Sequence, residues 1–270
     1  MPKQQKPKLP KISVCIPVYN AECWLAESIQ SIVDQTFKDW EIVLIDDYST
    51  DSSRKIVDFF LNKFREDGIW ERIKYHRNED YNIHVQQKKP ALRRPQGLPD
   101  YISGIASTRN HAVAYSEGEI IVVQDADDIS HKERLQKTWD YFKRHDKVDL
   151  IYGSCQYIDP FSKPFHLVQS EPFDFELLKT NNYIQHPTVA YRKKAFEDVG
   201  GYRPECTVID DWFLYMDFFK KGKKFGKLDD VLSFYRVLPD SVSRSPEKAK
   251  LVEEMKKKFM EEAGELCVKS

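Results

Sequence analysis

Four consecutive apolar residues, Ile120-Ile121-Val122-Val123, run through Gln124 into three carboxylates within four positions, Asp125-Ala126-Asp127-Asp128. A short, unbroken, β-branched run reads as a strand buried on both faces, because a half-exposed strand would alternate. Strands of that kind belong to parallel sheets covered by helices, which bind ligands beyond the carboxyl ends of their strands. The acids therefore fall on the edge where a ligand is expected. If the extended geometry continues, Asp125 and Asp127 share a face about 7 Å apart, since side chains alternate with period two. Carboxylates that close repel unless a cation joins them, and a hard divalent ion, Mn2+ or Mg2+, is the simplest because it prefers oxygen ligands. The competing reading of an isolated D-x-D is a solvated acidic turn capping the next helix.

The preceding chain supports a layered sheet. Ile12–Val18 reads as a first strand with Pro17 marking its exit, because proline cannot donate to a central ladder. Asn20 can cap a helix bearing Leu25, Ile29 and Ile32 at helical spacing. Trp40–Ile45 is a second buried strand ending in Asp46-Asp47. A helix from about Asp51 to Phe64 would turn Ile56, Phe59, Phe60 and Phe64 inward, and Ile73–His76 is a third strand. This alternation predicts an α/β fold with a parallel sheet between helices. Further helices are expected over Ile105–Tyr115, over His131–Arg144 and from Ile209, with short strands at Leu150–Gly153, Cys155–Ile158 and Val231–Arg236. Phe196–Tyr202 reads as a helix end closed by glycine. Pro246–Leu266 is a charged helix with Val252, Met255, Phe259, Ala263 and Leu266 on one stripe, which docks on the domain or on a membrane surface.

Several classes are excluded. The first glycine is Gly68, so neither a G-x-G-x-x-G nor a Walker loop can follow the early strands. A nucleotide diphosphate would then need a metal and cationic side chains to neutralise it. The net charge of −1 gives no global attraction to nucleic acid. Seven histidines form no H-x-x-x-H pair, and five dispersed cysteines form no C-x-x-C pair, which argues for reduced thiols in a cytoplasmic compartment. Residues 1–10 are basic and proline-rich without an apolar core, so they read as a flexible lead-in rather than a secretory signal. Residues 79–103, with Lys88, Lys89, Arg93 and Arg94, are a long polar insert of the kind that forms lids or stays unstructured.

Taken in order, these segments resemble glycosyltransferase family 2, an inverting family with the GT-A fold. The resemblance begins at Ser13-Val14-Cys15-Ile16-Pro17-Val18-Tyr19-Asn20 and continues through Ser31–Phe37 and Ile45-Asp46-Asp47-Tyr48-Ser49-Thr50-Asp51. It returns at Ala106-Ser107-Thr108-Arg109-Asn110, Glu117-Gly118-Glu119, Asp125-Ala126-Asp127-Asp128, His186-Pro187-Thr188 with Gly200-Gly201-Tyr202, and Asp210-Asp211-Trp212. Any one motif is weak; the ordered set over about residues 11–244 is specific. It implies a Rossmann-like nucleotide-diphospho-sugar transferase domain over 11–244, a mixed and mainly parallel sheet flanked by helices; the amphipathic helix read from the apolar stripe, over 245–270, lies beyond it.

The resemblance also implies roles. Pro17, Tyr19 and Asn20 would border the nucleotide, with Tyr19 either lying against the base or packing as an ordinary aromatic. Asp47 would accept the imide N–H of uracil, and Arg109 would sit near the nucleotide. Asp125, Ala126 and Asp127 would contact the donor, with metal held among Asp125, Asp127 and Asp128. Asp211 would be the catalytic base, taking the proton of the acceptor hydroxyl as it attacks the anomeric carbon. Burial beside Asp210 and Trp212 would raise its pKa. His186, Asp210, Trp212, Arg236 and Ser243 are acceptor-side or closing-loop candidates. The implied activity is metal-dependent, inverting transfer of a hexosyl or N-acetylhexosaminyl group from a nucleotide-diphosphate sugar, UDP the expected carrier, to a glycan or glycolipid. Lys220, Lys221, Lys223, Lys224 and Lys227 read as a solvated face, with a peripheral membrane contact as the minority reading. A sugar-nucleotide nucleotidyltransferase and a non-catalytic binding module are the competing classes. The missing glycine loop counts against the first, and the complete set of acids against the second.

Overall fold

The computed structural model describes residues 9–78, 104–206, 208–239 and 246–268. Strand β1 (Ile12–Val18), helix α1 (Leu25–Val33), β2 (Trp40–Asp46), α2 (Ser53–Glu66) and β3 (Ile73–Arg77) form two successive parallel crossovers. Helix α3 (Ile105–Tyr115) leads into β4 (Ile120–Val123), which lies parallel to the free side of β1. There follow β5 (Ile129–Ser130), α4 (Arg134–Arg144), β6 (Leu150–Ile158), β7 (Pro164–Val168), α5 (Phe175–Thr180), β8 (Ala190–Arg192), α6 (Lys193–Val199), α7 (Asp210–Lys220), β9 (Phe225–Arg236) and α8 (Pro246–Val268). The strands join one mixed sheet in the order β3-β2-β1-β4-β8-β6-β9-β5, with β7 on the side of β6. The first four are parallel, as are β6 and β9; β8, β5 and β7 join antiparallel.

The apolar runs are buried on both faces because each face meets helices. Val14, Ile16, Ile42, Leu44, Ile120 and Val122 pack with Leu25 and Ile29 of α1, Val57 and Phe60 of α2, and Leu135 of α4. Cys15, Val43, Ile45, Ile121 and Val123 face the other way, against Ala112 and Val113 of α3 and Phe213 and Met216 of α7. Each fully buried large aliphatic side chain contributes about 1.5–3 kcal/mol. Gly118 is required by close approach: a Cβ there would lie 2.6 Å from the Ser13 amide nitrogen. Gly200 closes α6 in the left-handed conformation at φ 87°, as the sequence predicts.

Several local expectations change. β1 keeps its expected bounds, Ile12–Val18, but Pro17 lies within the strand rather than at its exit. The Cys15 carbonyl accepts from the Gln124 amide, so Pro17, two residues on, turns its missing N–H toward the side where β4 has ended. Asn20 does not cap α1, whose N-cap is Trp24 without a side-chain bond; its Oδ1 accepts from the Thr50 amide at 2.8 Å instead. Phe59 of α2 is 62% exposed rather than inward, because Val57, Phe60 and Phe64 already fill the buried face. The two short strands after Asp149 are one strand, β6, with irregular register against both β9 and β7. α4 begins at Arg134 because Ile129 and Ser130 pair with Phe234 and Ser233. The late strand begins at Phe225, earlier than its apolar run suggests. Residues 79–103 and 241–244 lie outside the described residues. No helix among the described residues is long and apolar enough to cross a membrane.

α8 lies against α7. Its Phe259 is fully buried, 4.3 Å ring to ring from Trp212 and 5.5 Å from Phe213. Its Glu262 pairs with Arg203 at 2.8 Å and Lys220 at 2.9 Å.

Candidate active site

The carboxyl ends of β1, β2 and β4 meet at the point where the strand order reverses, the crevice in which such sheets take ligands. Tyr19, just past β1, is 65% exposed. Asn20 and Tyr48 both adopt positive φ, 46° and 62°, so these glycine-free loops turn in a conformation usually left to glycine. Asp47, at the end of β2, is buried, and its carboxylate accepts from Asn78 Nδ2 at 2.7 Å and from the Gly104 amide at 3.0 Å. Its neighbour Asp46 accepts from the Ser49 amide and the Tyr75 hydroxyl, both at 2.7 Å, which makes it a brace for the loop.

β4 stops at Val123, so the alternation projected onto Asp125 and Asp127 does not hold: a turn presents the acids, closed by the Asp128 amide donating to the Asp125 carbonyl at 3.2 Å. Gln124 builds that turn from below. Its Nε2 donates to the Asp128 carbonyl at 2.7 Å, and its Oε1 accepts from the Ser130 hydroxyl at 2.7 Å and from the buried Arg134 at 3.1 Å. Asp128 is fully buried and accepts the Arg236 amide at 2.8 Å, leaving its Oδ2 buried without a hydrogen bond. Asp125 and Asp127 are half-buried. Burial, and then the Asp125 charge, push the Asp127 carboxyl up to about 6; burial, then Asp127 and Asp125, raise Asp128.

Arg109 connects this turn to the second half of the site. From the buried face of α3 it donates to Asp125 Oδ1 at 2.9 Å and to Asp210 Oδ2 at 2.8 Å. Two carboxylates 85 residues apart in sequence thus share one guanidinium. Asp211 follows at the first turn of α7, half-buried. Its Oδ2 accepts from Asn182 Nδ2 at 3.0 Å and its Oδ1 from the Trp212 amide at 2.8 Å. Burial, and then Asp210, push the Asp211 carboxyl up to about 6. Ile209 precedes the pair at φ 51°, a strained conformation for a β-branched residue. Strain of this kind clusters at functional sites.

Other candidates take structural positions. His186 is buried with Nδ1 2.7 Å from the Tyr215 hydroxyl and Nε2 3.2 Å from that of Tyr202, which leaves neither nitrogen for a metal. Burial lowers its pKa well below the usual range, so it is neutral. Trp212 is buried against Phe259 and donates Nε1 to the Leu178 carbonyl at 2.7 Å. Arg236 is 1% exposed, so it does not cover a diphosphate; its guanidinium donates to the Asp127 carbonyl at 2.8 Å, Glu27 at 2.6 Å and Ser162 Oγ at 3.0 Å. Ser243 lies outside the described residues. Pro17 is buried within β1 and Ala126 within the acidic turn. Sequence reading missed Gln124, Arg134, Asn182 and Glu27. Only Gln124 carried a signal, as a polar residue ending a doubly buried strand.

The acidic turn fits a divalent ion. It concentrates negative charge with a raised Asp127 pKa, and no side chain among the described residues hydrogen-bonds that carboxylate. Among the described residues no group of three or more His, Cys, Asp or Glu side chains is placed to hold a metal unaided.

Solved structures share this architecture. The chain matches Staphylococcus aureus TarS (residues 1–349) in complex with UDP-GlcNAc with a TM-score of 0.62 and 21% identity, covering 86% of this chain and 60% of that one. It matches the mannosyltransferase PcManGT of Pyrobaculum calidifontis, in complex with GDP-Man and Mn2+, with a TM-score of 0.56 and 18% identity, covering 87% and 59%. It thus spans about six-tenths of the solved chains it resembles. The fold is that of the GT-A glycosyltransferases. The sequence profile of Glycosyl transferase family 2 matches residues 13–85 and 101–200, and the chain belongs to that family. It is therefore a glycosyltransferase acting on nucleotide sugars. Among its relatives is EpsE of Bacillus subtilis (strain 168), which carries a glycosyltransferase name, 29% identical over 235 residues, 86% of this chain and 74% of that protein.

Proposed function

We propose that the chain is an inverting glycosyltransferase that moves a hexosyl or N-acetylhexosaminyl group from a UDP-sugar to a hydroxyl of a glycan or glycolipid, within a catalytic unit spanning residues 11–244. The observation that carries this reading is Arg109, which links Asp125 to Asp210 and so holds the base candidate Asp211 beside the acidic turn. Asp47 accepts the imide N–H of uracil, with Asn78 and the Gly104 amide fixing its carboxylate. Exposed Tyr19 offers a ring to the base. Asp125 and Asp127 hold Mn2+ or Mg2+ together with the donor diphosphate, while Asp128 anchors the turn from within. When bound, the ion offsets negative charge on the departing diphosphate.

Asp211 accepts the proton of the acceptor hydroxyl as its oxygen attacks the anomeric carbon from the face opposite the nucleotide, which inverts that centre. Asn182 and the Trp212 amide orient the carboxylate. The names of the relatives support the donor class: TarS is a poly(ribitol-phosphate) β-N-acetylglucosaminyltransferase, and its solved form holds UDP-GlcNAc. A panel of UDP- and GDP-sugars assayed for nucleotide release with Mn2+, Mg2+ and a chelator tests the reading. Release from UDP-sugars that ceases on chelation is the expected result. Turnover unaffected by chelator would refute the role given to Asp125 and Asp127, and release from GDP-sugars alone would refute the choice of base.

A further inference from the structure

The turn between β6 and β7 is built with unusual rigidity around one solvent-facing side chain. Asp159 Oδ1 accepts the amides of Phe161 and Lys163, both at 2.9 Å, and the Asp159 amide donates to the Lys163 carbonyl at 2.9 Å. Ser162 sits at φ 64°, a conformation that serine rarely adopts, and its hydroxyl donates to Glu27 of α1 at 3.0 Å. The buried Arg236 guanidinium donates to the Asp159 and Pro160 carbonyls, both at 3.2 Å, and to Ser162 Oγ at 3.0 Å. Amid these bonds Phe161 is 90% exposed. Folding alone gives no reason to brace a turn that leaves a phenyl ring in water.

Exposed apolar side chains continue along the hairpin from Phe161. Along β7, Phe165 is 58% and Leu167 44% exposed. Phe165 meets Tyr157 edge-on at 6.3 Å, at the irregularity in β6–β7 register, and Tyr157 also contacts His166 at 5.6 Å and Tyr235 at 5.1 Å. Both ends of this aromatic strip connect to the candidate site. Arg236, which braces the tip, also donates to the Asp127 carbonyl at 2.8 Å. Tyr157 donates its hydroxyl to Gln185 at 2.8 Å, three residues after Asn182, which holds Asp211.

We propose that the β6–β7 hairpin is a carbohydrate-stacking platform, with Phe161 at its tip and Phe165 beside Tyr157, that seats sugar rings of a glycan acceptor next to Asp211. This rests on the glycosyltransferase reading above and names the acceptor class for that site. Pyranose rings present apolar C–H faces that lie on aromatic rings, with their hydroxyls left for polar neighbours. Here Phe165 lies against Tyr157, which also meets His166, so polar side chains flank that ring. The pre-organised turn lowers the entropy that binding would otherwise cost. A lipid surface is the weaker occupant, because Lys163 is the only cation between Asp159 and Val168.

The test compares the wild-type chain with the double variant Phe161→Ala and Phe165→Ala in three assays. Nucleotide release from the UDP-sugar to water, with Mn2+ and no acceptor, is expected to be unchanged. Retention on an array of neutral and acidic oligosaccharides, with UDP and Mn2+ present, is expected for at least one glycan and is expected to fall about ten-fold in the variant. Binding to vesicles containing phosphatidylglycerol is expected to be the same for both chains. Equal array binding by the two chains, or no glycan held by wild type, overturns the platform; variant-specific loss of vesicle binding assigns the hairpin to lipid and overturns it too. Absence of nucleotide release from wild type with every donor strikes instead at the glycosyltransferase reading.

Discussion

Because burial and Asp210 push the Asp211 carboxyl up to about 6, a base at this position is fully charged only above that pH. A general base works deprotonated, so kcat/KM is expected to be flat above about pH 6 and to fall at least ten-fold per unit below it, since Asp127 titrates in the same range. A pH–rate profile at fixed metal concentration checks this; a limb lying near the ordinary carboxylate value of about 4 would contradict it. Asp211→Asn keeps size and the Trp212 contact, so it is expected to retain UDP binding while transfer falls about 10²–10⁴-fold. Arg109 makes a different prediction at the same scale. Arg109→Met leaves Asp125 and Asp210 facing each other without their shared cation, and is expected to cost about 3–5 kcal/mol in urea unfolding, because a lost partner strands buried charge. Donor binding is expected to weaken with it.

At the scale of elements, α8 braces the helix that carries Asp211. Burial works against the charge on Glu262, yet hydrogen bonds from Arg203 and Lys220 hold its pKa at about 2. A depressed carboxylate pKa contributes stability that is present above the unfolded value of about 4.3 and lost as pH falls through about 2. Glu262→Gln is therefore expected to lower stability by about 1 kcal/mol at neutral pH and to flatten the acid limb between those values, which thermal unfolding across pH would read. Elements of this kind also mark how far the chain can be read without coordinates. Helices and strands whose apolar residues follow one period were legible: α3 begins and ends at Ile105 and Tyr115 as expected. The positions of the acids could be read as well: Asp47 and Asp125 stand just beyond the ends of β2 and β4, and Asp211 lies in the first turn of α7. What could not be read were partners far along the chain, such as Arg236 with Asp127 or Arg109 with Asp210. A lone arginine in sequence looks the same whether it faces solvent, a phosphate or a buried carboxylate. Phe59 failed for a related reason: helical spacing alone does not say how wide a buried stripe is.

At the scale of the molecule, one sheet carries both halves of the site. The parallel half holds Asp47 and the acidic turn, while the half built from β6, β8 and β9 supports α7 and the β6–β7 hairpin. Arg109 and Arg236 cross between them. A ligand bound at the acidic turn should therefore stabilise the whole chain, not one lobe. UDP with Mn2+ at about a hundred times its dissociation constant is expected to add about 2.7 kcal/mol, and to move a single unfolding transition upward. Calorimetry that resolved two transitions, only one of them shifted by ligand, would show that the halves unfold independently.

The left-handed backbone at Ile209 has a consequence for anyone altering this protein. A β-branched residue held there costs about 1–3 kcal/mol, and asparagine or glycine would relieve much of it. Laboratory selection for heat resistance is thus expected to recover Ile209→Asn or Ile209→Gly. Because the next two residues are Asp210 and Asp211, the same changes are expected to slow turnover. At this one position endurance and speed are set against each other, and keeping isoleucine favours speed.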